Sequence, residues 1–574
     1  MKKIYLLLTL FLHCTLHSQD FTTVFETSEG TETATYAQVI AYYQGLAKKY
    51  PSITITEEGM TDSGYPLHLV IYNPNKEKDL NKLRKDHRIL LINNGIHPGE
   101  PDGIDATMMM LRDFASGKIA APKHTIIATI PLYNIGGSLN RNSTSRTNQN
   151  GPVAYGFRGN ARNYDLNRDF IKSDTRNARA FAGIYQKIQP DVFIDNHVSN
   201  GADYQYTLTH LFTQHNKLGY EAGDYVQNKM MPGLIDGLQA KSWDITPYVN
   251  VFNQVPEKGF SQFLDSPRYS TGYTTLWNTL GMMVETHMLK PYKPRVEGTY
   301  DLMIAMIDFT EANYKKILEV RNANFKAFET AATYELNWEV DTTKSRTFDF
   351  KGFEGSFIES EVTGQERLYY DRNKPFTRPV EYQDEFKASV SIEIPEAYMI
   401  PVGWHNVIDL LKLNGIAMEL ISQDMDTEAE IYHIEDYKTR NNAYEGHYTH
   451  FNTKVRASTE MTHFEKGRYY RVNTRQPGIR YILEVLEPQA VDSFFNWNFF
   501  DTILQQKEGF SPYVWEDKAN ELLMKDSDLK AAFEAKKNTD EAFAKNWYAQ
   551  LNWLHKHSPN YEKAHLKYPV YRLR

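Results

Sequence analysis

Two residues able to bind a metal, His97 and Glu100, stand three apart in the turn that ends an apolar run, Ile89-Leu90-Leu91-Ile92. Imidazole and carboxylate at that spacing can meet on one ion, and zinc accepts both. Alone, the pair is only a turn that holds a His and an acid. The device recurs, however: Asp191-Val192-Phe193-Ile194-Asp195-Asn196 runs into His197, and Gly281-Met282-Met283-Val284 runs into Glu285. Two His and one Glu make a three-ligand zinc sphere with a fourth position open. A catalytic zinc lowers the pKa of water toward about 7 and polarises a carbonyl. Glu285, the carboxylate left over, is then the group to take a proton and deliver it to a leaving amine. The nearby His210, His215 and His287 read as structural or exposed, because three ligands already complete the protein's share; His287, on the strand face of Glu285, is the one that could also reach the site.

Such residues need strands that end on one side of a sheet. Residues 89–92 have the length of a buried strand, Gly95 and Pro98-Gly99 punctuate the turn, and residues 102–114 have helical spacing. A further apolar run spans residues 126–132, and a helix is predicted over 175–188. Strands alternating with helices predict an α/β domain, and the strand-turn-helix junctions of open α/β sheets are where ligands bind. Residues 36–49 predict a helix, 53–57 and 67–72 strands, and 301–328 one long amphipathic helix closing the domain. Residues 138–163 are polar and without apolar period, which inside a domain marks a functional loop; they carry Arg141, Arg146, Arg158 and Arg162. A boundary is expected between residues 335 and 345. Beyond it, strands at 347–353, 390–394, 417–421 and 480–486, a helix at 404–413 and a helical stretch over 519–554 give a mixed α/β accessory region, residues 345–574. The aromatic run 494–500 reads as core or interdomain packing.

The chain has 574 residues, 41% of them hydrophobic, enough for two to four domains. Lys2 and Lys3 precede the apolar run 4–12, with small or polar residues by Ser18, the order of a secretory signal peptide over residues 1–18. That run is too short to span a bilayer, and no later stretch reaches the length. Cys14 is the single cysteine, so a processed chain has no disulfide and relies on its core. Loss of the two lysines takes the net charge from −8 to −10. An acidic surface recruits neither phosphate backbones nor anionic lipid, which excludes nucleic acid as a partner.

The order H-x-x-E (His97 to Glu100), D-x-N-R (Asp165-Leu166-Asn167-Arg168), a distant His197 and a strand-end Glu285 resembles the zinc carboxypeptidase (funnelin, carboxypeptidase A-like) family over roughly residues 35–335. Carboxypeptidase A is an established His₂Glu zinc enzyme. The resemblance implies a mixed sheet with helices on both faces over residues 19–335, and one Zn²⁺ per chain on His97, Glu100 and His197. It implies that Asp165 hydrogen-bonds the first His and fixes its ring. Asn167 and Arg168 match the pair that grips the substrate's terminal carboxylate, Arg supplying a bidentate fork, and Glu285 matches the general base. His-Pro-Gly-Glu departs from the digestive enzymes toward divergent, bacterial branches. The arginine that polarises the scissile carbonyl has four candidates in the 138–163 loop. Arg158 is assigned to it, with Arg162 behind as a substrate contact, because both lie in the Gly-rich turn nearest the motif. The family's mobile tyrosine matches Tyr269 or Tyr273, neither with good spacing.

The implied function is an exported zinc metallocarboxypeptidase, periplasmic or secreted, acting on peptides with a free C-terminal carboxylate. An N-acyl amino acid deacylase or a peptidoglycan amidase stands as the alternative, because the same site serves any amide next to a carboxylate. An inactive secreted binding protein is the rival from another class; the complete ligand set and Glu285 count against it.

Overall fold

Strands buried on both faces read as near-continuous apolar runs, and the strands that carry the candidate site are of this kind. The computed structural model describes residues 21–574; the expected signal peptide, with Cys14, lies outside the described residues. The central sheet contains β1 (Ile53–Met60), β2 (Pro66–Tyr72), β3 (Arg88–Asn93), β4 (Thr125–Ile130), β5 (Val192–Ser199), β6 (Leu208–Phe212), β7 (Ile245–Pro247) and, after the short outlying strand β8 (Phe260–Ser261), β9 (Leu280–His287). Its eight strands run in the order β1-β2-β4-β3-β5-β9-β6-β7. β4, β3, β5 and β9 are parallel. The β1–β2, β2–β4 and β9–β6 pairs are antiparallel, so the sheet is mixed.

Helices cover both faces. Val192 and Ile194 of β5, with Met282 and Val284 of β9, face a core shared with helices Tyr36–Lys49, Asp102–Ser116 and Tyr292–Ala312. Phe193 faces the opposite core, against helix Arg176–Ile188. By the two-residue period of a strand, Asp195 and His197 follow Phe193 onto that second side. Glu285 stands directly opposite His197 in the β5–β9 register. One face of two neighbouring strands therefore delivers a His and a Glu to the same end of the sheet.

Three expectations are corrected. Residues 301–328 fall in two helices, Tyr292–Ala312 and Tyr314–Thr330, broken at Asn313, whose φ of −116° ends one and starts the next. Residues 480–486 form a helix, Ile479–Leu486, rather than a strand. It is buried along its whole length, so it lacks the polar face that would have betrayed its period. In 417–421 only Glu419–Leu420 is strand.

After Thr330 the chain leaves the central sheet. β10 (Thr333–Val340), β11 (Arg346–Glu359), β12 (Glu366–Gln383) and β13 (Phe386–Glu393) follow. β10 pairs with β13, while β11 and β12 form a long hairpin whose β12 end pairs in parallel with β8. β14 (Ala397–Pro401), β15 (Glu419–Leu420), β16 (Met425–Thr439), β17 (His450–Phe464), β18 (Tyr469–Asn473) and β19 (Tyr571–Leu573) build a six-stranded antiparallel sheet. Ile89, Leu91 and Phe193 share one apolar cluster with Tyr398, Tyr481 and Phe494, so the later region packs on the second face of the central sheet. Among the described residues, no helix is long and apolar enough to cross a membrane.

Candidate active site

The turn after β3 is shaped by close approach. A Cβ on Gly99 would stand 2.5 Å from the Arg146 side chain and 3.0 Å from the Gly156 carbonyl, so only glycine lets the 138–163 loop press on His-Pro-Gly-Glu. His97 and Glu100, on either side of that glycine turn, are both buried. One ligand atom from each of His97, Glu100 and His197 lies within 4.8 Å of the others, and all three residues are buried.

Both imidazoles are oriented by a carboxylate on the nitrogen turned away from the cluster. His97 Nε2 meets Asp165 Oδ1 at 2.9 Å, and His197 Nε2 meets Asp195 Oδ2 at 3.0 Å. This leaves Nδ1 of each ring facing Glu100, at 3.2 Å from Oε1 for His97 and 3.0 Å from Oε2 for His197. His97 Nδ1 is buried and has no hydrogen-bond partner. The orphaned His97 Nδ1, the His197 Nδ1 that meets Glu100, and the Glu100 carboxylate, each ring locked by an outer acid, suit a zinc ion. Burial lowers the proton affinity of His197, but Asp195 and Glu100 raise it well above the ordinary value. Those same two negative charges favour a metal cation at Nδ1.

Asp165 is a hub. Burial would raise its pKa, yet His97, Arg158 and Arg168 hold it far below the usual carboxylate range. Arg158 donates from Nε at 3.0 Å and lies 2.9 Å away through a terminal nitrogen. The Asn167 backbone N–H donates to Asp165 Oδ1, and Asn167 Oδ1 accepts from the Ser270 N–H, which fixes the D-x-N-R turn. Arg168 lies with its guanidinium 4.4 Å from the Tyr269 ring centre. Arg146 stands 2.9 Å from Glu100 Oε1, closer than Arg158 at 3.7 Å.

His97, Glu100, His197, Arg146, Arg158 and Arg168 line one cavity of about 630 Å³, together with Asn167, Tyr269 and Glu285. Burial first, with the Glu100 charge adding and His197 opposing, pushes the Glu285 carboxyl up to about 8. An acid so shifted is a strong proton acceptor once ionised. A neighbouring cation lowers that value.

The structure separates the remaining expectations. Arg162 is outside the cavity: it is exposed and stacks on Tyr164, because the turn after Arg158 carries it outward. Tyr273 is buried and donates to Asn414, whereas Tyr269 lines the cavity. His210 is fully buried with its pKa pushed down to about 3, first by burial, and His215 pairs with Glu385. His287 stacks on Tyr204 and faces Asp203 at 3.4 Å, away from the ligand cluster. The 494–500 run packs as core: Phe494, Phe495, Trp497 and Phe500 are buried.

Sequence reasoning missed Asp195, Tyr248 and Asp265. Asp195 could have been found, since two residues before His197 on a strand is the same face; its partners are His197, Asn93 and Ser270. Tyr248 lines the cavity just past three-residue β7, and Asp265 lies in a segment with no regular element, so neither had a periodicity to locate it. Burial pushes Asp265 up to about 6, against a hydrogen bond from Thr271.

No protein-family model and no curated protein matches the chain. Among solved structures it is similar to a metallo-carboxypeptidase from Burkholderia cenocepacia (TM-score 0.37, 16% identity, covering 48% of this chain and 68% of that one). The carboxypeptidase A from Helicoverpa armigera gives a TM-score of 0.38 at 12% identity, covering 49% of this chain and 74% of that one. A metallo-carboxypeptidase from Pseudomonas aeruginosa gives 0.36 at 12% identity, with 49% and 68% covered.

Proposed function

We propose that this chain is an exported zinc metallocarboxypeptidase, with residues 19–335 as the catalytic part and 345–574 as the accessory part. The observation that carries the reading is the convergence, in one cavity, of the His97–Glu100–His197 cluster, the Glu285 carboxyl and the Arg168 guanidinium. The first can hold a Lewis acid, the second can move a proton, and the third can anchor an anion. An amidase of internal bonds needs no third group.

His97, Glu100 and His197 would hold the zinc, with Asp165 and Asp195 keeping both rings on the right tautomer. When bound, the ion polarises the scissile carbonyl and makes water a nucleophile at neutral pH. Glu285 takes the proton of the attacking water and passes it to the departing amine. Arg168 and Asn167 hold the terminal carboxylate. Arg158 and Arg146 add positive charge where the carbonyl oxygen turns negative.

The test is a double perturbation. A guanidinium offers a carboxylate two parallel donors, a lysine only a point charge. Arg168→Lys and amidation of the substrate should each lower kcat/KM strongly, while together they cost much less than the sum, because both remove one interaction. Additive losses would detach Arg168 from the carboxylate, and ready cleavage of amidated peptides would favour the deacylase or amidase reading.

A further inference from the structure

The loop between β16 and β17 leaves the C-terminal region and lies on the D-x-N-R turn. Four consecutive residues make the contact. The Tyr444 side chain lies beside the guanidiniums of Arg168 and Arg268, the latter 5.6 Å from its ring centre. Glu445 accepts the Asp165 backbone N–H at 2.8 Å. Gly446, at a φ of +78°, passes so close to Tyr164 that a Cβ there would stand 2.6 Å from its hydroxyl. His447 Nε2 meets Asp174 Oδ2 at 2.7 Å.

The fit has a cost that marks it as specific. Glu445 has a φ of +49°, a left-handed conformation that costs a non-glycine residue about 1–2 kcal/mol. Its bond to Asp165 holds it there. The Tyr444 ring in turn stacks on buried Trp497, 6.1 Å between centres and 23° between planes. Arg268 lies over both rings and pairs with Asp492 at 2.7 Å. Arg168 is therefore flanked from two sides, by the Tyr269 face and by Tyr444, which comes from the loop after β16.

We infer that the 440–449 loop is part of the site that receives the substrate's terminal carboxylate, with Tyr444 and Glu445 as positioning residues for Arg168 and the turn that bears it. This rests on Arg168 being the carboxylate clamp. On that basis the C-terminal region completes the substrate site, beyond any binding or assembly role of its own.

The experiment uses the full-length zinc-loaded protein and one N-acetylated tripeptide, with a free or an amidated C-terminus. Tyr444→Phe should raise KM for the free acid by about tenfold, the scale of losing a polar neighbour beside a charged group. Its kcat, zinc content and behaviour toward the amide should stay within about twofold of wild type. Glu445→Ala should raise KM in the same way, and Glu445→Gln, whose amide oxygen still accepts the Asp165 N–H, should restore it. In an Arg168→Lys background Tyr444→Phe should add almost nothing. Wild-type KM in both Tyr444→Phe and Glu445→Ala would overturn the inference, as would a loss confined to kcat and zinc content. A wild-type enzyme indifferent to amidation would bring down the carboxylate-clamp reading and this inference with it, whereas loop variants indifferent in an enzyme that prefers the free acid sink the loop's role alone.

Discussion

His97→Ala or His197→Ala removes one of three protein ligands and should leave the purified chain with almost no zinc, measured by elemental analysis; full occupancy in both would refute the ligand set. Asp195→Asn is the sharper probe. It keeps all three ligands but weakens the group that orients His197, and outer partners of this kind are worth about 10- to 100-fold in metal affinity. Glu285→Gln should keep zinc and lower turnover by about two to four orders of magnitude, separating the proton carrier from Glu100, whose loss empties the site. At this scale the sequence was readable where side chains follow regular structure. His97, Glu100, His197 and Glu285 all end or adjoin apolar strands, and the geometry brings them together. Arg162 was misplaced and Tyr248 missed because both belong to irregular stretches, where spacing along the chain does not fix direction in space.

Parallel β3, β5 and β9 make the site a property of strand ends, and their apolar runs were long enough to be recognised from sequence. The helix Ile479–Leu486 was not, because a short segment buried all round shows no period. The long hairpin strands β11, β12, β16 and β17 are largely exposed and polar, so their extent was not legible either. Helix Asp102–Ser116, which follows the His97–Glu100 turn, buries Asp105 against the Tyr292 hydroxyl of helix Tyr292–Ala312. Burial pushes that carboxyl from its ordinary 3.8 up to about 6. The folded chain keeps this proton up to about pH 6, while the unfolded chain releases it near 3.8. Stability from this group is thus present below that value, falls through the window and is flat above it. Asp105→Asn should therefore gain on wild type by up to about 3 kcal/mol between pH 4 and pH 7, read from denaturant melts at the two pH values. A difference independent of pH would contradict the buried, protonated acid.

Across the whole molecule, the first and last thirds of the described chain meet in one apolar cluster, from Ile89 and Leu91 to Tyr568 and Val570. The accessory region is consequently a structural partner of the sheet. A chain stopped at residue 335 should lose one side of that core and fail to give a cooperative melt, whereas chelation of the metal from the full chain should abolish hydrolysis and leave the melt cooperative. A truncated chain with a sharp transition would show that the two parts fold independently. A change of pattern in the sequence suggested a boundary at 335–345, which strand β10 (Thr333–Val340) crosses; the shared core was not legible, because it is made by contacts hundreds of residues apart. The central claim is that this one cavity combines a zinc site, a proton carrier and a carboxylate anchor. It is tested most directly by mass spectrometry of an N-blocked peptide incubated with the purified protein, before chelation, after it and after zinc is restored. Release of single residues from the free C-terminus, lost and regained with zinc and absent from the amidated peptide, is the predicted result; cleavage that persists without metal, or that treats both peptides alike, would contradict it.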